Sequence, residues 1–476
     1  MCILLLMLSS CKNDNLNTVN SNSEITKIIF WNTYNGKQAK LLDEIIEKYN
    51  YTVGIDKNIF IESVSQTNAR VLIENLNKSA NNEINSYEMP NMFMAYPDML
   101  YQIDDKVELI NIKDYMSQSE LEKYRKEFLE DGEIIKNKLF VFPLVKSTDI
   151  MILNKTYFDE FAKKYDLTYD DLKTWESIIK VSELYYKYTD DMTPDILNDG
   201  KAFFNSDVMS NFFLISYNQL GDEFIRKNGD LVELNFDKEI LKKIFNTYYD
   251  SYIKGYFYKN SKHSTDDAKI LDILAFTASS TSVSYFNPTV YDNGEMKNID
   301  VKVLPVPHFE NSQPSYIRQG SGICVIKQDK NNENKEIACL DFLKWFTNNK
   351  NNLEFATSLS YMPVKNNFFE CDDVKSFLSK ENLNMTKFEL EAMQVSSESI
   401  KTNSKYFLMN FKNATELRNY LGTSLRKIAN ENKKAMDLDI KNGMSRENAI
   451  LKYTKEDIFE NWYNDFVFKA NSILEK

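Results

Sequence analysis

"ITKIIFWNTYNGKQAKLLDEIIEKYN", residues 25–50, joins two hydrophobic patterns through a short polar loop. Residues 25–31 are rich in isoleucine and aromatic side chains, which predicts a strand. Beyond the loop, Leu41, Leu42, Ile45, Ile46 and Tyr49 recur at helical spacing and predict a helix with one apolar stripe. The unit then repeats. "NIFIESVS" (58–65) reads as a second strand, "NARVLIENLNK" (68–78) as a helix carrying Val71, Leu72 and Leu76, and "MPNMFMAYPDMLYQ" (89–102) as a third buried strand that turns at Pro97. Strand, helix, strand, helix, strand implies a parallel sheet with helices on both faces. Ligands bind such sheets at the carboxyl ends of the strands, so the stretches "WNTYNG", "SQTN" and "AYPD" are the first places to look for chemistry.

Further along, Leu139–Val145 and Asp149–Leu153 are two apolar extended runs lying close together, followed by a helix-rich region to about residue 285. "IDVKVLPVPHF" (299–309) reads as another strand, and "QGSGICVIK" (319–327) as a turn into one. "NKEIACLDFLKWFTNN" (334–349) is a helix with Ile337, Leu340, Leu343, Trp345 and Phe346 expected to face inward. The remainder is largely helical, with a surface loop near "LDIKNGMS".

The chain has 476 residues, 43% of them hydrophobic and 13% aromatic, which is globular and long enough for two lobes. Its formal net charge of −12 argues against a nucleic-acid partner, which needs a basic face, and against adhesion to anionic lipid through basic patches. With only two histidines, His263 and His308, little is available for a histidine metal site, and no metal or cofactor is expected. Among five cysteines, Cys324, Cys339 and Cys371 have no metal spacing and read as buried thiols, with a single disulfide left open.

"MCILLLMLSSCKNDNLN" opens the sequence. Its apolar run is far shorter than the roughly 20 residues a membrane-spanning helix needs, but it has the form of a secretory signal ending in small residues. Leu8-Ser9-Ser10-Cys11 resembles the lipobox of bacterial lipoproteins, although no Lys or Arg precedes the apolar run. That implies a signal peptide at 1–10, acylation at Cys11 and a polar, flexible tether over 11–24.

The ordered segments resemble the extracellular solute-binding proteins of ABC importers, in the sugar-binding branch that includes maltose-binding protein. No single motif is specific. The resemblance lies in the order and spacing of "IIFWNTYNGKQAKLLDEIIEKYN", "MPNMFMAYPDMLYQID", "NKLFVFPLVKSTDIMILNKTYF", "TWESIIKVSELYY", "NQLGDEF", "VKVLPVPHF", "QGSGICVIK" and "ACLDFLKWFTNNKNNLEFATSLSYMPVKNN". It implies an α/β, two-lobe periplasmic-binding-protein fold, each lobe a mostly parallel sheet flanked by helices, with hinge strands between and a helix-rich second lobe. The N-lobe would comprise 25–143 and 306–345, the C-lobe 146–300 and 350–476, with hinges near 141–146, 301–305 and 346–350. It further implies a monomeric, non-enzymatic protein, lipid-anchored on the outer face of the cytoplasmic membrane, at the cell surface or in the periplasm. There it would capture a carbohydrate between the lobes and deliver it to an ABC permease.

The ligand-facing positions of that family fall on Trp31, Asn32, Tyr34 and Asn35 after the first strand, and on Tyr96 and Asp98 after the third. Lys146 and Ser147 follow the first hinge, Tyr285 would bring a ring from the second lobe, and Gly320, Ser321, Gly322 and Tyr361 complete the set. Rings and amides are what a sugar requires, since its faces carry C–H patches and its rim carries hydroxyls that must be hydrogen-bonded when buried. Plainer readings stand beside these: Trp31 as core, Asn35-Gly36 as a turn, Lys146 and Ser147 as hinge residues, and the glycines as a tight turn. Trp175 and Trp345 read as core. The alternatives in function are the same fold holding a polyamine, metal or anion, a sensor or adhesin lipoprotein, and a secreted glycan-active enzyme. The sequence carries no G-x-S-x-G, P-loop or H-E-x-x-H motif for the last of these.

Overall fold

The computed structural model describes residues 24–135, 137–228, 231–366, 368, 386–405 and 411–475. The expected signal segment 1–10, Cys11, the tether up to residue 23, and Cys371 lie outside these residues.

The opening stretch folds as its pattern predicts. Strand β1 (Thr26–Asn32) leads through a loop to the helix Lys37–Tyr49. Ile28 and Phe30 enter one core while Ile29 and Trp31 enter another on the opposite face. Burial on both faces is why the strand reads as a continuous apolar run rather than an alternation. β1 pairs in parallel with β2 (Ile59–Ser65) and with β3 (Met92–Ala95). Asn68 caps the intervening helix Ala69–Ala80 by accepting the Val71 N–H, satisfying an otherwise orphan donor.

Two sheets organise the molecule. In chain order the remaining strands are β4 (Phe142–Pro143), β5 (Asp149–Asn154), β6 (Phe204–Ser206), β7 (Ile225–Asn228), β8 (Leu231–Leu234), β9 (Ala275–Ser279), β10 (Thr289–Asp292), β11 (Glu295–Asn298), β12 (Val301–Pro305), β13 (Tyr316–Ile317), β14 (Gly322–Val325) and β15 (Ser404–Lys405). The N-lobe sheet has the order β2-β1-β3-β14-β4 and the C-lobe sheet the order β12-β5-β9-β6. β14 is antiparallel to both its neighbours, and β5 likewise, while every other strand in each sheet runs in one common direction. The reversed strand is in each case the one that enters its lobe from the hinge, so it must start where the others end. As a result the carboxyl ends of the remaining strands in both sheets gather at the boundary between the lobes, which is where the crevice lies.

The boundaries of the lobes differ from the sequence expectation. The resemblance places 306–345 in the N-lobe, but Val306, Phe309, Tyr316 and Ile317 lie in the C-lobe core, and β12 is an edge strand of that lobe's sheet rather than a hinge. The chain returns to the N-lobe at Gln319, whose backbone exchanges hydrogen bonds of 2.9 Å with Ser147. Nor does it leave again near 346–350. The helix Asn349–Ser358 packs Phe355 and Ala356 into the N-lobe core, followed by Met362 and Val364. An apolar face says that a helix is buried, not against which sheet. The helix Lys387–Thr402 straddles the boundary: Ala392 joins the C-lobe core, Ile400 the N-lobe core, and Arg125 donates to Ser397 Oγ across it at 3.0 Å.

The C-lobe is the helix-rich half, as expected. Trp175 lies in its core, edge-on to Phe204 and Phe212. In the helix Glu333–Phe346, Leu340, Leu343 and Phe346 are buried and Trp345 packs partly against the core, whereas Ile337 faces solvent. Cys324 and Cys339 are buried free thiols. The loop expected near 438–445 narrows to a turn after the helix Ala414–Lys441, just before Ser445 caps the next helix.

Candidate functional site: the crevice between the lobes

The loop after β1 turns on Asn32. Its buried amide donates to Ser63 Oγ at 3.0 Å while its carbonyl oxygen accepts the Tyr34 N–H at 3.0 Å, an Asx-type turn that aims Tyr34 into the boundary. The Tyr34 ring lies 5.7 Å from Phe355. Its hydroxyl is buried and has no hydrogen-bond partner among the described residues. Burial pushes that phenol well above its usual range, Tyr361 and Tyr96 add to the rise, and Ser321, the polar side chain next to the hydroxyl, opposes it. Tyr361 itself is raised, by burial first and then by Tyr96 and Tyr285, and it is hydrogen-bonded to Gln38. Tyr361 is presented by Ser360, a non-glycine residue at φ +55° that also accepts hydrogen bonds from Ser280 and Ser284 of the C-lobe.

After β3, Pro97 at the first position of a short 3-10 turn fixes Tyr96 and Asp98 beside each other. Asp98 Oδ1 is buried without a partner among the described residues. Burial raises the Asp98 carboxyl, opposed by its own backbone N–H and by Arg418. The same guanidinium acts on Tyr96, whose hydroxyl is raised by burial and by Asp98.

The opposing floor is a chain of polar groups. Arg418 Nη2 donates to Asn211 Oδ1 at 2.5 Å. The Asn211 amide donates to Asp149 Oδ2 at 2.8 Å and to Gln319 Oε1 at 3.2 Å, and Gln319 Nε2 donates to Asp149 Oδ1 at 2.8 Å. Burial pushes the Asp149 carboxyl up to about 6, moderated by these amides and by Arg418.

The structure thus brings Tyr34, Tyr96, Asp98, Ser321, Tyr361 and Tyr285 to one crevice, with Tyr285 exposed at its rim. Asn35 stands nearby in the same loop, but its amide is occupied with the Thr33 and Thr67 carbonyls and acts as a turn brace. Three expectations are corrected. Trp31 is 1% exposed, edge-on to Tyr87 in the N-lobe core, because its strand faces apolar partners on both sides. Asn32 shapes the loop from beneath, since its amide is used on Ser63 and Tyr34. Lys146 turns away from the crevice into a buried hinge cluster, where Nζ meets Asp131 at 3.1 Å beside the Arg318–Asp131 pair at 2.7 Å. Ser147 is buried and its backbone pairs with Gln319. Gly320, at φ +128°, is required by the hinge itself: a Cβ there would lie 2.7 Å from the Val145 carbonyl oxygen, and one at Gly322 would lie 2.4 Å from that of Phe142.

The sequence reading did not single out Gln38, Asp149, Asn211, Gln319 or Arg418. A signal existed for Asp149, a charge heading the buried run "DIMILN", and for Gln319, directly before the glycine turn. None existed for Asn211 and Arg418, which lie 207 residues apart in sequence. No group of metal-ligating side chains occurs among the described residues.

No curated protein matches the sequence. Solved structures do resemble the fold. The cyclic α-maltosyl-1,6-maltose binding protein from Arthrobacter globiformis superposes with a TM-score of 0.64 at 14% identity, covering 93% of this chain and 98% of that one. UgpB from Mycobacterium tuberculosis, in complex with glycerophosphocholine, gives 0.67 at 14% identity over 94% of this chain and 98% of that one. The maltose/maltodextrin-binding domain MalE from Bdellovibrio bacteriovorus, bound to maltotriose, gives 0.58 at 14% identity over 92% and 99%. At these identities the likeness shows the fold. A family model, bacterial extracellular solute-binding protein, matches residues 56–380, which is more than half of the sequence. With two lobes facing each other across a polar, tyrosine-lined crevice, the chain belongs to the bacterial extracellular solute-binding protein family.

Proposed function

We propose that this chain captures a carbohydrate, a sugar or oligosaccharide, between its lobes and hands it to an ABC permease without chemically altering it. The single observation that carries the reading is the pair of buried, unpartnered polar atoms, Tyr34 Oη and Asp98 Oδ1, set among Tyr96, Tyr361 and Tyr285. A buried polar atom without a partner is costly. A ligand hydroxyl removes that cost, and tyrosine faces accept the C–H patches of a sugar ring. Neighbours of the same fold bind maltotriose and cyclic maltosyl-maltose, which supports the ligand class. Ligand touching both lobes favours the closed form by its extra contacts there.

The protein would be held outside the cell by acylation of Cys11. No helix of the described residues is long and apolar enough to cross a membrane, so the anchor would supply the attachment. Replacing Cys11 by alanine in the native host should release the protein from the membrane fraction, and radiolabelled palmitate should label the native form alone. The ligand class is tested by thermal shift and calorimetry against sugars, oligosaccharides, polyamines, metal ions and glycerophosphodiesters. A ligand specific to the folded state raises the melting temperature. Binding of sugars with no loss of substrate over hours supports capture. A response confined to the non-sugars, or hydrolysis of a glycan, overturns it.

A further inference from the structure

We infer that Ser360 is a clasp between the lobes: it accepts hydrogen bonds from two C-lobe serines that need no ligand, and it thereby holds a measurable fraction of the free protein closed. The inference goes beyond the ligand class proposed above and is independent of it.

Three successive residues of the first hinge segment each bond to a different part of the chain. Lys146 and Met362 exchange backbone hydrogen bonds of 3.0 and 2.7 Å, Ser147 and Gln319 exchange two of 2.9 Å, and the Thr148 carbonyl accepts the Ser280 N–H at 2.8 Å. Met362 belongs to the N-lobe core. Ser280 directly follows β9 and opens the short turn Ser280–Tyr285, which Val283 fixes to the C-lobe core. The hinge thus sets an N-lobe segment beside a C-lobe turn, one residue either side of the crossing at Ser147. Ser360 makes the contact between them. Ser280 Oγ donates to its carbonyl oxygen at 3.3 Å and Ser284 Oγ donates to its Oγ at 3.2 Å. Ser280 and Ser360 are each 1% exposed, so water does not compete for these bonds.

Serine is a costly residue at this position. The helix Asn349–Ser358 ends in a Schellman turn, with the Tyr361 N–H donating to the Ala356 carbonyl at 2.9 Å and the Ser360 N–H to that of Thr357 at 3.3 Å. Ser360 occupies the left-handed position of that turn, at φ +55°, where glycine carries no steric penalty and serine does. What serine has and glycine lacks is the hydroxyl that accepts from Ser284. The next residues of the two segments, Tyr361 and Tyr285, are tyrosines of the crevice, so the same contact fixes where its two faces meet.

Both bonds join groups of different lobes. Rotation about the hinge stretches them beyond hydrogen-bonding distance, so they count only in the closed form and bias the equilibrium toward it. A hydrogen bond of ordinary strength changes such a ratio roughly fivefold.

The test needs no ligand. It uses the chain without its first 23 residues, with Cys371→Ser and with spin labels at Lys40→Cys and Lys427→Cys, exposed positions on the N-lobe helix Lys37–Tyr49 and the C-lobe helix Ala414–Lys441. Distances between the labels are read by electron–electron double resonance. The parent protein should show a population at the short, closed distance. Ser284→Ala should lower its closed-to-open ratio roughly fivefold, and Ser360→Gly equally. The two together should go no further than either alone, because they remove one bond, and adding Ser280→Ala should lower the ratio again. Ser360→Gly should meanwhile melt at the same temperature or higher, since glycine suits the turn, and a residue with a purely structural role would not separate the two readouts in this way. Ser284→Ala leaves the Ser360 backbone as it is and so excludes added flexibility as the cause. A parent protein wholly open without ligand, or an unchanged ratio in folded Ser284→Ala and Ser360→Gly, overturns the clasp and leaves the carbohydrate reading untouched.

Discussion

Tyr34 shows at the residue scale how a binding protein differs from a merely stable one. Its buried hydroxyl is unpartnered without ligand, so Tyr34→Phe should leave the free protein as stable as before or up to about 1 kcal/mol more stable. The same change should weaken the bound sugar by roughly tenfold, so chemical denaturation and calorimetry should move in opposite directions. Asp149 makes a second residue-scale prediction. Its carboxyl titrates near 6 in the folded protein because burial disfavours the charge, against about 3.9 in an unfolded chain. Between these values the folded state holds the proton and the unfolded state does not. This group's contribution is therefore intact below about pH 4 and is lost as the pH rises through 6, by on the order of 3 kcal/mol. Denaturation midpoints of Asp149→Asn should lack this fall between pH 4 and 7, and an identical pH profile in both proteins would contradict it.

At the scale of elements, helices were legible from the apolar stripe itself: Lys37–Tyr49 and Glu333–Phe346 follow it without a side-chain cap, and Ala69–Ala80 follows it with Asn68 as cap. Strands buried on both faces were equally legible as apolar runs. What the stripes left open was the partner, and Asn349–Ser358 is the clearest case: its apolar side fits either lobe, and only the position of Lys37–Tyr49 and its sheet decides for the N-lobe. The final helix, Glu456–Glu475, anchors the C-lobe through Trp462, which lies 4.8 Å from Phe466 and 5.0 Å from Phe245 and donates its indole N–H to Ser424 at 2.9 Å. Trp462→Ala should cost about 3–5 kcal/mol, measurable as a lower midpoint in urea. Ligand affinity at temperatures where the protein stays folded should be unchanged, because this aromatic cluster lies in the C-lobe core and not in the crevice.

For the whole molecule, the two hinge segments near Ser147 and Gln319 and the buried Lys146–Asp131–Arg318 cluster hold the lobes at one corner, and Ser280 and Ser284 of the C-lobe reach Ser360 across the crevice. Closure should therefore follow ligand: the radius of gyration by small-angle scattering should fall when a bound sugar is added and stay fixed with a sugar that does not bind. An unchanged value on saturation would mean that capture does not use hinge motion. The amino-acid sequence by itself determined the strand and helix grammar and the loops at strand ends where Tyr34, Tyr96 and Asp98 stand, because periodicity and turn chemistry are local properties. Only the tertiary structure decided that Trp31 and Lys146 turn away and that residues 349–366 stay with the N-lobe. Those outcomes depend on strand register, on which sheet a helix meets and on where the chain crosses the hinge, and no spacing along the chain encodes a meeting between groups some 200 residues apart, such as Asn211 and Arg418.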